Sequence, residues 1–197
     1  MTAHRFVMRD FEIRKKLDER LRKLCPQEDT RIVHELGLCL GEARIDVAVI
    51  NGKLHGFEIK SEKDTLKRLP EQVLVYNRVF DRLTLVAAPK HIEKITEVIP
   101  NWWGIYSVHP TKKTASAVIK SVRPAQKNTQ VDPRAVVQLL WREEVLGELI
   151  KLDAAKGISS KPKSYLWERL AEIVPQKLLL GIVRTRLKIR NGWRADR

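Results

Sequence analysis

The chain has 197 residues, 43% of them hydrophobic, and a formal charge of +14. That is enough apolar material for one core, or one core and a small appendage, and it excludes wholesale disorder. The charge is uneven: residues 99–197 hold 19 Lys and Arg against 8 Asp and Glu, whereas residues 1–98 hold 19 against 16. A basic field of this kind attracts polyanions, and nucleic acid is the expected partner. A membrane is not expected, because no basic amphipathic stretch carries a Trp/Phe-rich face. Cys25 and Cys39 form no Cys-x-x-Cys pair, which argues against structural zinc. The N-terminal residues lack the apolar run of a signal peptide, and no segment is long and apolar enough to cross a bilayer. A reducing cytoplasm is the expected location.

Residues Arg9 to Leu24 read as a helix, with Phe11, Ile13, Leu17, Leu21 and Leu24 as its apolar stripe and Pro26 closing it. Three strand-like runs follow, Arg31–Leu40, Ala43–Ile50 and Lys53–Lys60, punctuated by Gly41-Glu42 and by Asn51-Gly52, a hairpin signal. Asp64–Leu69 is a polar connection. A helix starts near Pro70 and runs to about Phe80; Leu83–Ala88 is a buried strand, and Pro89–Ile99 is helical. Gly104–Val108 and Ser116–Val122 are short strands around a basic turn holding Lys112 and Lys113. Arg123–Pro133, polar and with two prolines, reads as a linker. Beyond it Pro133–Leu152, Ser164–Val174 and Pro175–Arg190 read as helices. The fold class is α/β, with helices packed on a sheet and a C-terminal all-helical extension. The domains expected are residues 1–123 and a basic helical unit at 134–197, joined by 124–133.

The chemistry concentrates on the hairpin. Alternation puts Ile45, Val47 and Val49 on one face and Arg44, Asp46 and Ala48 on the other; Phe57 and Ile59 oppose Gly56, Glu58 and Lys60. Asp46 and Glu58 share a face only if even-numbered residues pair with even-numbered ones. A two-residue Asn51-Gly52 loop fails that test. A three-residue loop with Gly52 left-handed passes it, and the register expected sets Asp46 opposite Gly56, whose missing side chain leaves room for an ion or a phosphate. Asp46, Glu58 and the Ile59 carbonyl then offer oxygens to Mg²⁺ or Mn²⁺, and Lys60 can position water or stabilise the transition state. A lone Glu-x-Lys is a common surface pair; the surrounding hairpin and Asp46 raise it above that.

The order of elements and these residues resemble the PD-(D/E)XK nuclease superfamily, whose core is helix, three antiparallel strands, helix, strand. Arg44-Ile45-Asp46 resembles its second-strand aspartate motif and Glu58-Ile59-Lys60-Ser61 its third-strand motif. Glu35 stands where many members carry an upstream acidic metal ligand. Gln72 and Tyr76 resemble the Gln-x-x-x-Tyr helix motif of RecB-type members. The likeness spans about residues 9–88, and it lacks the proline before the aspartate. It implies a restriction-endonuclease-like core, metal held by Glu35, Asp46, Glu58 and Ile59, and catalysis by Asp46, Glu58, Lys60, Glu35, Gln72 and Tyr76.

Other residues have two readings. Gln72 and Tyr76 share a helix face, but Leu69, Val73, Tyr76 and Phe80 also trace an apolar stripe. Arg44 either binds phosphate or balances the carboxylates. His34 reads as structural, Asp81 as a turn residue, and Asp64 and Arg68 as part of a loop over substrate. Trp102-Trp103 either stack on bases or fill the core. Arg184, Arg186, Lys188 and Arg190 are expected to grip the phosphate backbone, with Arg44, Arg68, Lys112 and Lys113 adding to the nucleic-acid-binding surface. Ile150 to Trp167 faintly suggests a helix-turn-helix. The function expected is a metal-dependent nuclease, with DNA favoured over RNA as substrate and DNA repair as one setting. The alternative is a catalytically silent DNA-binding module, or a partner-dependent subunit of a repair, restriction or defence complex. The small size is compatible with a homodimer or a protein partner.

Overall fold

The computed structural model describes residues 9–25, 28–111 and 117–193. Pro26, Lys112 and Lys113 lie outside the described residues. The elements are α1 (Asp10–Leu24), β1 (Arg31–Leu38), β2 (Ala43–Ile50), β3 (Leu54–Lys60), α2 (Leu69–Val79), β4 (Arg82–Ala87), α3 (Ile92–Val98), β5 (Gly104–Pro110), β6 (Ala117–Arg123), α4 (Pro133–Val137), α5 (Arg142–Lys151), α6 (Lys163–Ile173) and α7 (Gln176–Ile189). The fold is α/β, with a helical C-terminal extension, and its first six elements follow the helix, meander, helix, strand order. Among the described residues no helix is long and apolar enough to cross a membrane.

Six strands form one sheet in the order β1-β2-β3-β4-β5-β6. The β1–β2–β3 meander is antiparallel, β3–β4 and β4–β5 are parallel, and β5–β6 is antiparallel. The parallel pairs need crossovers, and α2 and α3 supply them. Strands buried on both faces read as continuous apolar runs. That is why Val47 and Val49 join Phe57, Ile59, Ile13, Leu17 and Leu21 in one cluster beneath α1, while Ala48, Ile50, Leu54, Val73 and Tyr76 join a larger one on the opposite face.

The polar face of the hairpin is therefore not open. The face that carries Glu58 and Lys60 is a second core, and both residues are buried. In α1 only Ile13, Leu17 and Leu21 of the stripe are inside; Phe11 and Leu24 are exposed, because a single sheet contact covers a narrow arc of the helix. Ile45 also departs from alternation, since it packs in the cluster with Ala48 and Ile50 rather than with Val47.

The C-terminal helices share the larger cluster. Leu149, Leu170, Leu179, Val183 and Leu187 pack there with Val73 and Tyr76. The stretch read as a linker lacks regular structure but is strapped down. Asn128 is buried and donates to the carbonyls of Asn77 and Phe80 at 2.7 and 3.0 Å, and Gln126 N–H reaches the Trp102 carbonyl at 2.7 Å. The helix expected over Pro133–Leu152 is two helices: Glu144 turns back to accept the Trp141 N–H at 2.7 Å, and this starts α5 afresh. Residues 152–162 separate α5 from α6, far more than the short turn of a helix-turn-helix, so that reading falls. Trp103 is fully buried and donates to Asn77 Oδ1 at 2.8 Å, which settles it as core.

Candidate active site

The β2–β3 hairpin turns through Asn51, Gly52 and Lys53, with Gly52 at φ +76°. The left-handed glycine lets a three-residue loop close, and even numbers pair with even, as Asp46 and Glu58 require. The register differs from expectation by two residues: Ala48, not Asp46, faces Gly56. Gly56 leaves no room for an ion either. A Cβ there would meet Leu83 Cδ2 at 2.7 Å and the Phe80 ring at 3.1 Å, so the glycine permits close packing of the second core.

Pairing of β2 with β3 runs from Ile50↔Leu54 to Val47↔Phe57. Continued by one residue, it brings Asp46 level with Glu58. There the Asp46 side chain takes over the role of a main-chain acceptor, its Oδ2 receiving the Ile59 N–H at 2.7 Å. On the other side of β2, Glu35 is the residue omitted between the pairs His34↔Val47 and Leu36↔Ile45, and it has φ +53°. A left-handed glutamate inside a strand is a costly conformation, so the surroundings must impose it.

Two polar clusters meet at this point. The first lies inside the sheet. Glu58 Oε1 accepts from Lys60 Nζ at 2.8 Å and from Gln72 Nε2 at 2.7 Å, and Oε2 accepts from Tyr76 Oη at 2.8 Å. Lys60 also donates to Gln72 Oε1 at 3.0 Å, and Tyr76 Oη lies 2.7 Å from the Arg44 carbonyl. The packing reading of Tyr76 holds, since its ring packs edge-on against Phe80 and stacks on Trp103, while its hydroxyl reaches Glu58. Burial first, and then the Glu58 charge, push the Tyr76 hydroxyl well above its ordinary pKa, so it stays protonated as a donor.

The second cluster is organised by Arg14, a residue the sequence reading missed. Its Nη2 lies 2.8 Å from Glu35 Oε1, 2.9 Å from Asp46 Oδ1 and 3.3 Å from Asp10 Oδ2. Nη1 donates to the Asp46 carbonyl at 3.0 Å. Burial works against the guanidinium charge, but Asp46, Asp10 and Glu35 outweigh it and raise the Arg14 pKa. The i, i+4 spacing of Asp10 and Arg14 was visible in the sequence; nothing local foretold a contact across 32 residues.

Asp46 and Glu58 are thus held from different sides, by α1 and α2, and are not neighbours on one open face. They interact nonetheless. Burial and then the Glu58 charge raise the Asp46 carboxyl to about 7, more than the Ile59 N–H and Arg14 lower it. Among the described residues no group of three or more His, Cys, Asp or Glu comes together to hold a metal. The donors still suit a hard cation in type. They are carboxylate oxygens whose mutual repulsion an ion would relieve, and a cationic Arg14 nitrogen already bridges Glu35 and Asp46.

Of the remaining expectations, Arg44 is exposed at the rim, 3.8 Å from Glu35. Arg68 is exposed just before α2. Asp64 closes the turn after β3, accepting from Ser61 N and Oγ at 2.7 and 2.5 Å. Buried His91, which was missed, contacts the Ser61 carbonyl at 3.0 Å and so pins the backbone after Lys60. His34 lies 3.5 Å from Asp18 of α1, a structural contact. The four C-terminal cations are a correction. Arg184 pairs with Asp81 at 2.8 Å, Arg186 with Glu148, Lys188 with Asp29, and buried Arg190 with Glu144. They tie α7 to the body of the protein instead of facing a phosphate backbone.

A family model described as Bacteriophage P4 protein cII matches residues 7–196. Protein cII of Enterobacteria phage P4 is 33% identical over 99 residues, a stretch that makes up 50% of this chain and 38% of that protein. The match therefore spans well under two thirds of that relative's length. Among solved structures, the SPO1766 protein of unknown function from Silicibacter pomeroyi is similar with a TM-score of 0.45 and 17% identity, over 79% of this chain and 97% of that one.

Proposed function

The chain belongs to the bacteriophage P4 protein cII family, and from the groups gathered where β2 and β3 part we propose that it is a metal-dependent nuclease of the PD-(D/E)XK type, acting on DNA. One observation carries the reading. Asp46 and Glu58 are coupled across the strand seam, and Lys60, Gln72 and Tyr76 converge on Glu58 within hydrogen-bond distance. A buried Glu58–Lys60 pair is an expensive arrangement for a core, and so is a second acid, Asp46, raised in pKa beside it; such groups cluster at functional sites.

The implied cofactor is Mg²⁺ or Mn²⁺, held by Asp46 and Glu58 with Glu35 and the Ile59 carbonyl. When bound, it would make water acidic and offset charge on the phosphate. The rest falls to the chain's own groups. Lys60, fixed by Glu58 and Gln72, supplies positive charge and an N–H donor. Gln72 and Tyr76 fix the Glu58 carboxylate in one orientation. Arg14 neutralises Glu35 and Asp46 in the resting site and must yield those oxygens to an ion.

The test is a cleavage panel of duplex, junction, flap and single-stranded DNA with Mg²⁺ or Mn²⁺. The expected result is EDTA-sensitive cleavage that Lys60→Ala lowers by about 100-fold or more. Wild-type protein that binds metal and DNA yet cuts none of the panel overturns the reading.

The saturation of the site favours a second reading. Every oxygen of Asp46 and Glu58 already has a partner within the chain, as a silent binding module or a subunit awaiting its partner requires. DNA binding that falls with salt but ignores both EDTA and Asp46→Ala supports the module. Activity only after a partner is added supports the subunit.

A further inference from the structure

A cleft of about 630 Å³ opens between β1 and the C-terminal helices, and Glu35 and Arg44 line one end of it. It is therefore continuous with the candidate active site. The far wall is aromatic and cationic. The Arg190 guanidinium lies 4.4 Å from the Trp141 ring centre and 4.5 Å from that of Trp193, and Lys163 Nζ lies 4.6 Å from that of Trp167. All five residues line the cleft. Trp141 is 45% exposed although it has an apolar core within reach. The Trp193 indole N–H is buried with no hydrogen-bond partner among the described residues, a donor the fold leaves unused.

The backbone of the cleft is also unusual. Among the described residues four non-glycine residues have positive φ, and Glu35, Cys39 and Leu40 of these line this cleft. Cys39 and Leu40, followed by Gly41 at φ +98°, form the left-handed turn that joins β1 to β2. Of the three only Glu35, inside β1, holds this conformation away from a turn, and strain of that kind collects at functional sites.

We propose that this cleft takes single-stranded nucleic acid, one base stacking on Trp141 while Arg44 and Lys163 meet the flanking phosphates. The chemistry selects this occupant. An aromatic box could hold a cationic ligand, but Arg190 and Lys163 each already lie over one face of these rings and repel a second cation, whereas the exposed part of Trp141 is open to a neutral base. The volume suits one or two nucleotides and is too small for a duplex, whose bases are in any case stacked away from an indole. The inference rests on the nuclease reading only for its direction: the strand leads from the cleft, past Arg44, to Asp46. It narrows the substrate to DNA with a single-stranded end or flap.

Binding is measured in EDTA with the full chain, so that no cleavage is needed. The probes are a short fluorescein-labelled oligothymidylate, a duplex of equal length and thymidine monophosphate. Trp141→Ala is expected to weaken oligothymidylate binding about tenfold, Trp141→Phe to retain most of it, and duplex binding to change little. Lys163→Glu, at an exposed position, is expected to weaken it as well and carries the test if Trp141→Ala does not fold. The proposal is overturned if Trp141→Ala and Lys163→Glu leave oligothymidylate binding unchanged, if either weakens single-strand and duplex binding equally, or if thymidine monophosphate competes as well as the oligomer. Protein that cuts nothing yet binds single strands through Trp141 refutes the nuclease reading and keeps the cleft. Cleavage of single strands with no dependence on Trp141 does the reverse.

Discussion

The two halves of the chain carry the same number of Lys and Arg, 19 each, and use them oppositely. In the second half, where acids are few, Arg184, Arg186, Lys188 and Arg190 each pair with a different acid, two of them, Asp81 and Asp29, borrowed from the first half. In the first half, nearly balanced in charge, Asp46 is forced against Glu58, and Arg14 is shared among Asp10, Glu35 and Asp46. Net charge reports which polyions a protein attracts from a distance. It does not report where charge is left unbalanced, and unbalanced charge is what marks a reactive site.

The contrast can be broken most severely at Arg190. Its side chain is 3% exposed, donates to Glu144 and to the Leu139 carbonyl, and lies between two indoles. Arg190→Ala is expected to cost about 3 kcal/mol in urea unfolding, since it leaves Glu144 and that carbonyl without their partner. A loss below about 1 kcal/mol would mean that the second half's cations are not structural after all.

Asp46 gives a smaller and pH-dependent effect. Its folded pKa of about 7 lies above the ordinary 3.8. Between those values the folded state binds more protons than the unfolded one, so stability falls as pH rises. The contribution is fully present below about pH 4 and lost above about pH 7. Asp46→Asn removes this titration. Its stability relative to wild type should rise by roughly 2 kcal/mol from pH 5 to pH 8, whatever constant offset the lost Arg14 bond adds. A difference independent of pH would show that Asp46 is an ordinary paired carboxylate.

The smallest effect belongs to Lys188. Its partner Asp29 is 77% exposed, and water screens the pair. Lys188→Ala should change stability by less than about 0.5 kcal/mol, and its melting curve should overlay that of wild type.

Local signals carried much of the architecture. Alternation in Ala43–Ile50, the Asn51-Gly52 pair and the run at Leu83 to Ala88 suffice to place the meander and the following strand. The parity that pairs even residues with even was also legible, because it depends on one loop length. The same loop length also fixes the register: with Asn51, Gly52 and Lys53 in the turn, Ile50 pairs with Leu54 and Ala48 must meet Gly56, so setting Asp46 there misread a signal that was present. Gly56 announced a close approach without saying to what; Phe80 and Leu83 answer from elements formed later in the chain. Glu35 gave no sign of its left-handed backbone, and Arg14 looked like any charge on an amphipathic helix. The ion pairs of α7 were invisible for the same reason, their partners lying as far as 159 residues away. The break before α5 was readable: Glu144, three residues after Trp141, is placed to cap a new helix.

Each strand lies beside its neighbour in sequence, so the whole sheet closes through local connections. Loop-closure entropy therefore opposes its assembly only weakly. The long-range commitments fall to α7, which reaches back to Asp81 and Asp29. The consequence is an order of folding in which the sheet forms first and α7 docks last. A truncation of its inner face, Val183→Ala, should then speed unfolding while leaving the refolding limb of a chevron nearly unmoved. A slowed refolding limb would place α7 in the nucleus instead.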